Sequence, residues 1–68
     1  MKTYYLVIEM QADESGISCI PFSYENINDA LAKYHAILSA AATSSVPVHS
    51  AVIMTEDGFQ INHDCFKH

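Results

Sequence analysis

The sequence predicts an α+β domain of ββαββ order, a four-stranded antiparallel sheet with one helix on one face. Three observations carry that reading. Tyr4, Leu6, Ile8 and Met10 alternate with Thr3, Tyr5, Val7, Glu9 and Gln11 at the two-residue period of a strand. Ile27, Ala30, Leu31, Tyr34, Leu38 and Ala41 then recur at helical spacing. Finally, Glu56-Asp57-Gly58 places tight-turn chemistry between two β-rich runs.

Taken in order, the first strand is expected near residues 2–11. Ala12-Asp13-Glu14-Ser15-Gly16 is a turn, and Ile17 to Phe22 resumes an extended pattern as strand two. Pro21 cannot donate to a ladder, so this strand belongs at an edge. Asn26 with Asp29 three residues on resembles a capping box and opens a helix over roughly 27–43. Thr43-Ser44-Ser45 ends it and Pro47 prevents its continuation. Val46 to Thr55 forms strand three, and Phe59 to Lys67 folds back as strand four. The two most apolar strands, one and three, are expected at the centre of a 2-1-3-4 order in which every neighbour is antiparallel. No composition shift, repeat or linker divides the chain, so residues 1–68 are read as one domain.

Length and composition bound the function. At 68 residues folding removes only about 60% of the unfolded chain's surface from water, so a lone monomer has little stability to spare. Half of the residues are hydrophobic, which excludes disorder. No apolar run reaches the ~18 residues of a membrane span, and Glu9 interrupts the only N-terminal apolar stretch, which makes a poor signal peptide; a cytoplasmic location is expected. Three Lys and no Arg against eight acids give a charge of −5, the wrong sign for generic nucleic-acid binding. The acids sit mostly in turns, as Asp13, Glu14, Glu56 and Asp57 do, rather than in the dense row that DNA mimicry needs. Cys19 and Cys65 are read as reduced, buried thiols.

With Tyr4, Leu6, Ile8 and Met10 turned toward the helix, Tyr5 and Val7 point to the other side of the sheet, with Ala51 and Ile53 or Val52 and Met54 beside them. That side is then apolar too, and the helix carries Ala32, Ala36, Ser39, Ala40 and Ala42 outside its core stripe. Both features, with the small size, favour a homo-oligomer with clefts between subunits.

The candidate chemistry is thin. His63 and Cys65 project to one side of strand four, and a zinc site would borrow His49 or Cys19, but the spacing matches no strong metal signature. A Cys-His-Asp arrangement from Cys65, His63 or His49, and Asp64 fails because Asp64 and Cys65 point to opposite faces. Neither metal nor cofactor is expected, and an enzyme is disfavoured. Tyr34 continues the core stripe while His35 lies at its margin, where a polar contact to a planar ligand is possible. Thr43-Ser44-Ser45 clusters hydroxyls able to meet phosphate or sugar oxygens. The candidate ligand-binding residues are therefore Tyr34, His35, Thr43, Ser45 and His49.

Tyr4-Tyr5-Leu6-Val7-Ile8, Tyr24 before Ile27, Ala30-Leu31-Ala32-Lys33-Tyr34-His35, Val52-Ile53-Met54 and Asp57-Gly58 together resemble a group of small phage and prophage proteins of gut Bacillota. The segment from Ala40 to His49 departs from that group, whose members are more charged there, so no binding residue carries over. By analogy of size and organisation, the resemblance implies a small oligomeric phage protein that sequesters a nucleotide-derived signal of bacterial immunity, of the Thoeris or CBASS kind, without cleaving it. The alternatives are a protein-binding inhibitor of a host defence enzyme, anti-CRISPR-like, and a virion accessory protein.

Overall fold

A computed structural model describes residues 3–68. Strand β1 (Tyr5–Asp13) turns through Glu14 and Ser15 into β2 (Gly16–Tyr24). Helix α1 (Ile27–Ala42) crosses the sheet and leads to β3 (Val48–Thr55), which returns as β4 (Gln60–Lys67). The sheet order is β2-β1-β3-β4 with every neighbour antiparallel, the expected topology, and Pro21 is on an edge strand. Lys2, the first residue of the expected strand one, lies outside the described residues. Strand two is longer than expected, taking in Gly16, Ser23 and Tyr24, and β4 starts one residue later, leaving Phe59 exposed in the turn.

Local chemistry sets the element ends. The Asn26 side chain accepts from the Asn28 backbone N–H at 2.7 Å, capping α1 in place of a helical carbonyl. At the other end the N–H groups of Thr43 and Ser44 bond back to the carbonyls of Ala40 and Ala41, and the Ser44 hydroxyl accepts from the Val46 N–H. Gly58 has a φ of +88°, the left-handed conformation that the β3–β4 turn demands and that side chains resist. In that turn the Thr55 hydroxyl donates to the Asp57 carboxylate.

The helix covers the face of the sheet opposite to the one expected. Val7, Ala51 and Ile53 are buried beneath Ala30, Tyr34 and Ile37, with Tyr5, Phe22, Tyr24, Leu31 and Leu38 packed around them. Val7 pairs with Ile53 and Tyr5 with Thr55, so the odd-numbered positions of β1 and β3 face the helix. Leu6, Ile8 and Met10 face away, together with Val52 and Met54. The alternation count favours the even set because it is uniformly apolar, whereas the odd set includes Glu9 and Gln11. Those two polar residues are tolerated under the helix because the Gln11 amide donates to Glu9 and His49 meets the same Glu9 oxygen. Small Ala30, Ala41 and Ala51 are fully or almost fully buried, a pattern that suits close approach of helix and sheet. Ile37 fills a core position that the expected stripe gave to its neighbour Leu38, and Ile27 is left 38% exposed.

Both thiols are free, and both are exposed rather than buried. They sit on the outer strands β2 and β4, on the face without a helix, where the central strands do not cover them. The Cα extents are 42 × 21 × 14 Å. A helix of 16 residues spans only about 24 Å, so the ends of the sheet project beyond it.

Candidate functional site

At one of those ends the β1–β2 hairpin and the α1–β3 loop form the walls of a cleft. Gln11, Asp13 and Ser15 to Ser18 line one side, Ser45 to Pro47 the other, and the volume is about 500 Å³. Sequence explains both walls. The hairpin turn is short because Gly16 adopts a φ of +132°, and the loop is held out by Pro47, which cannot extend α1.

The lining is rich in acceptors and hydroxyls. The Asp13 carboxylate accepts from the Ser15 hydroxyl at 2.6 Å and from the Ser15 N–H at 2.8 Å, bonds that hold its pKa below the usual carboxylate value. It therefore stays ionised at the rim. The Ser18 hydroxyl approaches the Gln11 carbonyl at 3.5 Å, and Ile17, Val46 and Pro47 supply apolar wall. This arrangement suits a ligand that presents hydroxyl or amino donors next to a flat apolar part. An anionic group is disfavoured beside Asp13.

Behind the cleft wall lies a polar group beneath the helix. The Gln11 side-chain amide donates to Glu9 Oε2 at 3.2 Å, and His49 Nε2 meets the same oxygen at 2.7 Å. His49 is 4% exposed, and its Nδ1 is buried with no hydrogen-bond partner among the described residues. Burial alone pushes the Glu9 carboxyl up, but the bonds from His49 and Gln11 and the charges of His49 and Lys33 outweigh it and hold the group below its ordinary value.

The five candidate residues are dispersed. Ser45 lines the cleft. Thr43 is the C-terminal cap of α1, its hydroxyl 3.5 Å from the Ala40 carbonyl. His49 is in the polar group and lines no part of the cleft. Tyr34 is 1% exposed in the core, where burial and the Asp64 charge push its phenol up, and it touches His35 edge-on at 5.4 Å between centroids. His35 itself is exposed on the helix. Glu9, Gln11, Ser15 and Ser18 are absent from the sequence-based set. A single acid inside the apolar run YYLVIEM was the available signal for Glu9, since a charge in such a strand needs a partner. His63 and Cys65 share a face as expected, and Asp64 points to the other. Among the described residues no three of His, Cys, Asp and Glu gather where a metal ion could be held.

The fold and cleft define a two-layer α+β protein with a small-molecule-sized recess at one end of its sheet. No family model matches the chain, and no curated protein or solved structure matches it either. Among the described residues no helix is long and apolar enough to cross a membrane.

Proposed function

We propose that this chain is a non-catalytic binding protein that acts as an assembly of identical copies and sequesters a small nucleotide-derived signal of bacterial immunity. The observation that carries the reading is the cleft of about 500 Å³, within the range of small-ligand sites, with its mixture of hydroxyls, amide and apolar wall. The ionised Asp13 at the rim suits a ribose diol, the group that carboxylates grip in dinucleotide sites, so the nucleoside end of the ligand enters the cleft. Its phosphates point outward, away from Asp13. The likeness in size and element order to small phage proteins supplies the class of ligand, and the reading places the protein in the cytoplasm of a host bacterium.

The test mixes the protein with filtered lysate of infected, signal-producing cells, removes unbound small molecules, and heats the protein to release what it holds. Unchanged signal in the released fraction, judged by mass spectrometry and by reactivation of the immune effector, is the expected result. Loss of the signal with a new product instead indicates turnover and overturns the reading.

A second reading, an inhibitor that binds a host defence enzyme, draws on the free β2 edge. Ile17 is 73% exposed on the open face and Ile20 46% exposed on the helix side, so this edge strand, whose outer hydrogen-bonding groups are open to another chain, carries an exposed apolar side chain on each face. Capture of a defence enzyme with the signal left in solution would favour it.

A further inference from the structure

We propose that the face of the sheet without a helix is the surface through which two copies of the chain associate, stacking sheet on sheet. The inference rests on the reading above that copies assemble, and adds where they meet. The register sets out four rows across that face, from β2 through β1 and β3 to β4. They are Ile17–Ala12–Val48–Lys67, Cys19–Met10–Ser50–Cys65, Pro21–Ile8–Val52–His63 and Ser23–Leu6–Met54–Gln60. The two central columns are apolar except for Ser50. At their middle Val52 is 8% exposed and stands outside the cluster that packs beneath the helix.

Charge selects the occupant. Two copies that each carry eight acids and three lysines repel each other, and they can approach closely only where no carboxylates are brought together. None of the four rows contains an acid. Glu9 and Asp64, the acids within the central part of the sheet, project from the helix side, and the others stand in turns, in the helix or at a strand end. Lys67 and His63 stand only at its β4 border, so the middle of this face offers a charged partner nothing to pair with and offers a second copy a self-complementary apolar surface.

The area is sufficient. Four strands at about 4.8 Å and eight residues at about 3.3 Å give roughly 500 Å² of flat projection on each copy, hence on the order of 1,000 Å² for the pair, the size at which specific interfaces begin. A second sheet stacked about 10 Å away lies on the side opposite to the helix and leaves that layer undisturbed. Cys19 and Cys65 lie in one row on opposite outer strands, so both would be covered in the pair.

Those thiols provide the test in the unmodified protein. Sedimentation equilibrium and timed iodoacetamide labelling, read by mass spectrometry, are run from about 1 to about 100 µM chain, with Ile8→Glu as the variant. Expected are a concentration-dependent dimer, labelling of both thiols slowed by roughly tenfold or more at the high end, and a folded, monomeric Ile8→Glu chain whose thiols label at one rate throughout. If the chain associates while both thiols stay equally reactive, assembly stands and this face is excluded. If the chain stays at 7.5 kDa throughout, assembly and face both fall. Should Ile8→Glu not fold, the wild-type labelling decides alone.

Discussion

His49 Nε2 and Glu9 Oε2 are 2.7 Å apart, joining residues separated by forty positions and tying β3 to β1 on the helix side of the sheet. Neither group is simply a surface charge: the His49 side chain is 5% exposed and that of Glu9 16%. A polar pair so placed contributes little net stability when intact, because its desolvation offsets the attraction. Its removal is another matter, since the survivor is left buried without a partner.

His49→Ala is accordingly expected to destabilise the fold by about 2–4 kcal/mol, through the empty volume and the stranded Glu9 carboxylate together. His49→Gln, which keeps a donor able to reach Glu9, should cost roughly half as much. Urea unfolding followed by circular dichroism measures both. Equal losses would show that packing volume, and not the bond to Glu9, is what His49 supplies.

Acid should weaken the protein through Glu9. A carboxyl whose folded pKa lies below its unfolded value binds its proton less readily in the native state, so its stabilisation is present above the ordinary value of 4.5 and is lost as pH falls through the lower folded value. Asp13 and Asp57, held low by the Ser15 and Thr55 hydroxyls, act with the same sign from exposed positions. Urea midpoints at pH 7 and pH 3 should therefore differ for wild type, and differ less for Glu9→Gln. An unchanged pH difference in that variant would assign the effect to the turn carboxylates.

The strand order was legible in the sequence because Pro21 named an edge and the apolar runs of β1 and β3 named the centre. The facing of the sheet was not. Alternation separates two sets of side chains but does not say which set the helix covers, and here the set with two polar members won because His49, far along the chain, satisfies one of them. The cleft was hidden for a related reason: its two walls, the β1–β2 hairpin and the α1–β3 loop, lie far apart in sequence and meet only in the folded chain, where Gln11 both lines the cleft and donates to Glu9. Ser45 was recoverable because a hydroxyl run before a proline marks a helix end and an exposed loop. Tyr34 and His35 were singled out for their helical position, and that position put one in the core and the other on the exposed surface of α1.

The β3–β4 turn offers a backbone control. A Cβ at Gly58 meets nothing within 4 Å, so Gly58→Ala adds no clash and tests only the cost of a φ of +88°. A loss of about 1 kcal/mol is expected, and Gly58→Asn should lose less because Asn enters the left-handed region more easily. Thermal unfolding of the two variants gives the order directly, and a reversed order would mean that the turn relaxes to another conformation.

The cleft prediction separates ligand binding from every role that the core or the assembly plays. Ser45 is an exposed residue on the loop wall, so Ser45→Trp can fill the recess without removing a core contact, and melting should shift by less than about 0.5 kcal/mol. Asp13→Asn keeps the side chain's shape and removes the charge proposed to hold the ribose diol. In the lysate assay Ser45→Trp is expected to retain no signal, and Asp13→Asn to retain at least about tenfold less, the worth of one charge-assisted hydrogen bond. His35→Ala, exposed and outside the lining, should retain it fully. If His35→Ala releases the signal while Ser45→Trp holds it, the ligand sits along the helix and the cleft is not the site. If all three hold it as wild type does, the signal is bound by a surface formed between copies.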